Sequence, residues 1–117
     1  MGRLSTHVLD TANGRPAAGI GIALFRRNKD AWDMIGSAVT NADGRTDKPL
    51  LEGTELTPGH YRLEFHIADY FRQTGETLAD PPFLDRVPIE VGIADASRHY
   101  HVPLLCTPWS YSTYRGS

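Results

Sequence analysis

The chain has 117 residues, with 12 Lys and Arg against 14 Asp and Glu for a formal net charge of −2. That length suits one domain able to bury roughly two-thirds of its unfolded surface, without disulfides or a structural metal. No run of Lys or Arg is present to track a phosphate backbone, which argues against nucleic acid. The apolar stretches fall far short of the ~20 residues that cross a bilayer, and the N-terminal residues lack the apolar core of an export signal. A soluble, cytoplasmic protein with no membrane partner is expected, and the single cysteine, Cys106, fits a reducing compartment.

In chain order, residues 4–10 alternate with period two and stop before Asn13-Gly14, a dipeptide suited to a tight turn. Residues 20–26 read as a second strand. Residues 31–40 read as a third, closed by Asn41-Ala42-Asp43-Gly44, and a short strand is expected to begin at Arg45. Tyr61, Leu63, Phe65 and Ile67 then alternate with His60, Arg62, Glu64 and His66, giving one buried and one wet face. Residues 68–74 lose that period and predict a short helix ended by Gly75, followed by a polar loop over 76–85 containing Pro81-Pro82.

Strands are further predicted over 87–93 and 99–106, separated by the turn Asp95-Ala96-Ser97, and over 109–115 after Pro108. About eight strands and one helix, with turn signals every eight to twelve residues, indicate an all-β antiparallel sandwich or barrel. With no repeat, linker or low-complexity tract, residues 1–117 read as a single domain.

Strand parity then sorts the chemically capable side chains. On the first strand Leu4, Thr6 and Val8 share one face, and Ser5, His7 and Leu9 the other. On the 99–106 strand Val102, Leu104 and Cys106 form the core set, leaving His99, His101, Pro103 and Leu105 outward. Ser112, Tyr114 and Gly116 fall together on the last strand. If these strands share a sheet, His7, His101 and Tyr114 gather on its outward face, which with Leu9, Pro103 and Leu105 resembles a surface meant to be covered.

Other readings are weaker. His60 and His66 read as solvated strand residues. His99 and His101 are spaced to share an ion, but no carboxylate or third histidine stands at a recognisable spacing, and no metal is expected. No Gly-x-Ser-x-Gly elbow accompanies a serine nucleophile, and Cys106, on the core parity, reads as an inert thiol. Arg45, just after a turn, is as readily a surface residue as a functional one.

The opening Leu4-Ser5-Thr6-His7-Val8-Leu9-Asp10, continued by Thr11-Ala12-Asn13-Gly14-Arg15-Pro16-Ala17, resembles the first motif of transthyretin-related proteins. The closing His99-Tyr100-His101-Val102-Pro103-Leu104-Leu105 and Pro108-Trp109-Ser110-Tyr111-Ser112-Thr113-Tyr114-Arg115-Gly116-Ser117 resemble the C-terminal signature of the 5-hydroxyisourate hydrolases among them. The resemblance covers essentially the whole chain. It implies a transthyretin-like sandwich of two four-stranded sheets with one short helix, assembled as a homotetramer (a dimer of dimers) whose channel holds the active sites.

The implied activity is hydrolysis of 5-hydroxyisourate to 2-oxo-4-hydroxy-4-carboxy-5-ureidoimidazoline in urate breakdown, with no cofactor. By the same resemblance His7, Arg45, His101 and Ser117 match the catalytic positions, and His7, Arg45 and Tyr114 the substrate-binding ones. A histidine titrates near ~6.5, so either His7 or His101 is chemically suited to take a proton from water, and His101 has the better claim. The alternative within the resemblance is a transthyretin-like carrier of small ligands without turnover.

Overall fold

Alternation of apolar and polar side chains sets most of the architecture. In β1 (Arg3–Asp10), Leu4, Thr6, Val8 and Asp10 are buried while Ser5, His7 and Leu9 are half-buried on the opposite face. β8 (His99–Cys106) buries Tyr100, Val102, Leu104 and Cys106, and Pro103 on its outward parity is buried as well. The computed structural model describes residues 1–116; Ser117, one of the expected site residues, lies outside the described residues.

Between these strands run β2 (Arg15–Pro16), β3 (Gly21–Asn28), β4 (Ala31–Val39), β5 (Leu51–Glu52), β6 (Gly59–Phe65), helix α1 (Ile67–Gln73) and β7 (Val87–Ile93). β9 (Tyr111–Thr113) follows β8. One sheet has the order β2-β1-β8-β9 with β5 also on β1, and the other the order β4-β3-β6-β7. β2 and β5 pair with opposite ends of β1, at Leu9-Asp10 and Arg3-Leu4 respectively, so they share one edge and the sheet is four strands wide.

The inward faces of the two sheets meet in one apolar cluster that includes Leu4, Val8, Leu24, Tyr61, Leu63, Phe65, Val102 and Leu104. Helix α1 adds Ile67, Tyr70 and Phe71 to it. Burying each such side chain contributes about 1.5–3 kcal/mol, which makes this cluster the main stabilising feature. The polar residues that parity draws inward are satisfied: the Thr6 hydroxyl donates to the Val102 carbonyl at 2.7 Å, and the Tyr70 hydroxyl donates to the Asp10 carboxylate at 2.7 Å.

The fold class and most elements agree with expectation, and four details differ. β1 and β8 pair in parallel, not antiparallel, across eight residues from Arg3↔His99 to Asp10↔Cys106. No strand begins at Arg45; it forms a single bridge to His7, because Pro49 lacks an N–H and the Thr46 hydroxyl closes a local turn onto Lys48. The last strand is confined to Tyr111–Thr113, with Gly116 bridging separately to His101. His60 is exposed as expected, but His66 is half-buried, with Nε2 3.5 Å from the Glu64 carboxylate, because the chain turns there into α1.

Candidate active site

The parallel register sets Ser5 directly opposite His101 and His7 opposite Pro103. His7 and His101 are therefore diagonal neighbours on the outward face of the sheet. On the free side of β1, between the stretches held by β2 and β5, the chain delivers Arg45 to His7 through an antiparallel bridge. From the far side the C-terminal segment returns, and the Gly116 N–H donates to the His101 carbonyl at 2.8 Å. The result is an open cleft of about 510 Å³ whose lining includes Ser5, His7, Arg45, His101, Tyr114 and Gly116.

Each histidine is oriented through a different ring nitrogen. His7 Nε2 lies 2.9 Å from the Asp43 carbonyl oxygen. A carbonyl can only accept, so Nε2 carries the proton and Nδ1 keeps the lone pair when the ring is neutral. His101 Nδ1 lies 2.8 Å from the Ser5 hydroxyl, and among the described residues its Nε2 has no hydrogen-bond partner. Burial, reinforced by the positive charge of Arg45 and by His7, holds His101 below the usual histidine value of 6.5. His101 is therefore neutral at physiological pH.

Arg45 is exposed, but its backbone is tied down. Asn41 Oδ1 accepts the N–H of Asp43 at 2.9 Å and of Arg45 at 3.2 Å, and the Asn41 N–H donates to the Arg45 carbonyl at 2.7 Å. This side-chain-closed turn, completed by Gly44 at φ 74°, aims the Asp43 carbonyl at His7. Among the described residues the Arg45 guanidinium has no hydrogen-bond partner, leaving its planar fork available to a ligand.

The structure thus brings His7, Arg45, His101 and Tyr114 to one cleft, and Ser117 lies outside the described residues. Tyr114 is 62 % exposed. His99 is exposed and lies outside this cleft, in a depression with Met1 and Glu52, which separates it from His101. Cys106 is fully buried; burial, together with the charge of Asp10, pushes its thiol up to about 12, so it stays protonated.

Arg3, Thr46 and Pro49 also line the cleft, and sequence reasoning did not single them out. For Arg3 the parity with Ser5 and His7 was an available signal. Thr46 and Pro49 arrive on a segment that folds back along β1, for which no local periodicity exists.

Known proteins share this arrangement of the chain. The model of the HIUase/Transthyretin family matches residues 4–116. A Rhizobium meliloti (strain 1021) protein named 5-hydroxyisourate hydrolase 2 is 59% identical, over 99% of this chain and 97% of its own length. Among solved structures, (S)-allantoin synthase superposes with a TM-score of 0.93 at 46% identity, covering 99% of this chain, while this chain spans 44% of that longer one. Sea bream transthyretin, solved in complex with thyroxine, superposes with a TM-score of 0.87 at 28% identity, over 97% of this chain and 94% of its own. With the family pattern running through nearly every residue, from β1 to the segment that returns to His101, the chain belongs to the HIUase/Transthyretin family.

Proposed function

We propose that this chain is a hydrolase that opens 5-hydroxyisourate to 2-oxo-4-hydroxy-4-carboxy-5-ureidoimidazoline, a step in urate breakdown. The observation that carries the reading is a single cleft that brings together two histidines, each oriented by a hydrogen bond, and an Arg45 guanidinium that has no hydrogen-bond partner among the described residues. It is supported by 59% identity, over 99% of this chain, to a relative named for that activity.

In the proposed reaction His101 Nε2 takes a proton from water as the water oxygen bonds to a ring carbonyl carbon. The Arg45 fork faces the developing oxyanion, and His7 orients water or substrate. The C–N bond then breaks and the proton passes to the departing nitrogen, so one water is consumed and no electrons are exchanged. General base catalysis of this kind typically contributes about 10²–10⁴-fold, and a preorganised oxyanion donor a similar factor. Tyr114 contacts the substrate, and Ser117 completes the catalytic set.

An open cleft on one sheet face cannot enclose a small heterocycle, so a second copy is proposed to supply the opposite wall, within a homotetramer built as a dimer of dimers. The exposed Tyr114 and the half-buried Leu9 and Leu105 support that reading. The setting proposed is the cytoplasm, where a lone thiol such as Cys106 is ordinary.

The test is to add the protein to freshly generated 5-hydroxyisourate and follow the ultraviolet decay. Faster decay, proportional to protein, is expected. An unchanged spontaneous rate would instead favour a carrier, the role suggested by the thyroxine-bound sea bream neighbour.

A further inference from the structure

We infer that Ser5 is a positioning residue for this reaction: its hydroxyl accepts the Nδ1–H of His101 and thereby leaves the lone pair of Nε2 for the water. The inference rests on the hydrolase reading for its catalytic meaning, but the hydrogen bond itself can be tested apart from turnover.

Three observations converge on Ser5. The parallel register places it directly opposite His101 on the same face, and its Oγ lies 2.8 Å from Nδ1. The opposite edge of the ring is confined by Gly116, where an added β-carbon would stand 2.6 Å from His101 Cδ2. The ring is therefore gripped at two points, and a half-turn about Cβ–Cγ, which would put Cδ2 in the place of Nδ1, would break the Ser5 bond. Finally, His7 presents the opposite arrangement, with Nε2 committed to the Asp43 carbonyl, so the two histidines are distinguished by which nitrogen each keeps free.

The choice of a hydroxyl also has a chemical consequence. A carboxylate in that place would orient the ring equally well, but its charge would stabilise the imidazolium and raise the histidine's pKa. Serine orients without adding charge. Among the described residues, the charged and titratable groups around the ring are His7 and Arg3 from β1, Arg45 from the 41–45 turn and Tyr114 from the C-terminal segment. Arg115 turns instead onto the Tyr100 ring, 4.4 Å from its centroid. A neutral partner lets burial and the neighbouring cations keep His101 an unprotonated base. The hydroxyl can accept from Nδ1–H in both the neutral and the protonated ring, so the bond survives proton uptake at Nε2.

The experiment uses the full chain with ¹⁵N-labelled histidine, reading the ring-nitrogen shifts of His101 beside steady-state kinetics. The wild type is expected to show the Nδ1–H tautomer. Ser5→Ala should mix the tautomers and lower kcat by about ten-fold or more, and Ser5→Thr, which keeps the hydroxyl, should stay within a few-fold of wild type. Ser5→Asp, which sets a negative charge beside the ring, should move the acid limb of kcat/KM to higher pH, while the tautomer change in Ser5→Ala is the readout that a purely structural role would not move. A wild-type Nε2–H tautomer, or a Ser5→Ala variant with unchanged tautomer and turnover, would overturn the inference. Failure of the wild type to turn over 5-hydroxyisourate would instead count against the hydrolase reading, and the ¹⁵N shifts would still decide the role of Ser5.

Discussion

The Gly44 carbonyl accepts the Val8 N–H at 2.8 Å, and a β-carbon built on Gly44 would stand 2.3 Å from the Val8 carbonyl oxygen. Gly44 also has a φ of 74°, where an L side chain is strained. Gly44→Ala is therefore expected to destabilise the fold by about 1–3 kcal/mol and to push the 41–45 turn off β1. Because that turn carries both Arg45 and the carbonyl that orients His7, activity should fall more steeply than stability. Thermal melts and kcat/KM on the same preparation test this; an active variant with the wild-type Tm would refute it.

Arg45→Lys keeps the charge but loses the planar fork. A fall in kcat/KM on the order of ten-fold or more is expected, with little change in Tm, since the side chain is exposed and its backbone bonds are retained. Near-normal kinetics would show that Arg45 does not hold the oxyanion.

The pH profile should carry the signature of His101. A base must be unprotonated, and burial with the nearby Arg45 and His7 charges sets its value below 6.5. The midpoint of the acid limb of kcat/KM is therefore expected to lie below 6.5. The stability sign is the same. The folded state resists protonation, so the contribution of His101 is complete above 6.5 and is lost as pH falls from there through the folded value. A kinetic midpoint well above 6.5 would assign the base to another group.

Asp10 joins three parts of the molecule. Its carboxylate, at the end of β1, accepts the Asn13 N–H at 3.0 Å, the Asn13 side-chain amide at 2.7 Å and the Tyr70 hydroxyl of α1 at 2.7 Å. Burial alone would raise its pKa, but the hydrogen bonds from Asn13 and Tyr70 outweigh it and hold Asp10 below 3.8. Burial and the Asp10 bond push Tyr70 up to about 12, so the phenol remains a donor. Asp10→Asn turns an NH₂ toward one of these donors and should cost about 1–3 kcal/mol at neutral pH. The wild-type advantage should persist down to 3.8 and shrink below it as the carboxylate protonates. Equal Tm values at pH 7 would show that the lock contributes nothing.

Legibility from the sequence followed the range of the interactions. Parity within β1 and β8 is a local property, so the shared outward face of Ser5, His7 and His101 was readable. The parallel pairing that sets Ser5 against His101 joins residues 96 apart, and no local pattern encodes its direction or register. The bridge between Arg45 and His7 was hidden for the same reason: the turn closing at Gly44 suggests that a strand begins at Arg45, whereas Pro49 and the Thr46 turn reduce it to one contact. Half-burial of His66 depends on the entry into α1, where the two-residue period ends.

Gly116 offers the sharpest test of how the C-terminal segment acts on the site. Its N–H is bound to the His101 carbonyl at 2.8 Å, and a β-carbon on it would lie 2.6 Å from Cδ2, 3.2 Å from Cγ and 3.3 Å from Cβ of the same residue. In Gly116→Ala the crowding falls on a ring that cannot yield freely, because its other edge is held by Ser5. Either the ring rotates and loses that bond, or the segment lifts from β8 and carries Tyr114 away from the cleft. Both outcomes damage the site while leaving the core untouched, since Gly116 contributes nothing to the buried cluster. A loss in kcat/KM of about ten-fold or more is expected, with a change in Tm within the ordinary range of surface substitutions. His101 ¹⁵N shifts would tell the two routes apart: a disturbed tautomer marks rotation of the ring, and a normal one with weakened substrate binding marks displacement of Tyr114. Full activity in Gly116→Ala would mean that the returning segment does not constrain the histidine, and the role argued for the contact would fall.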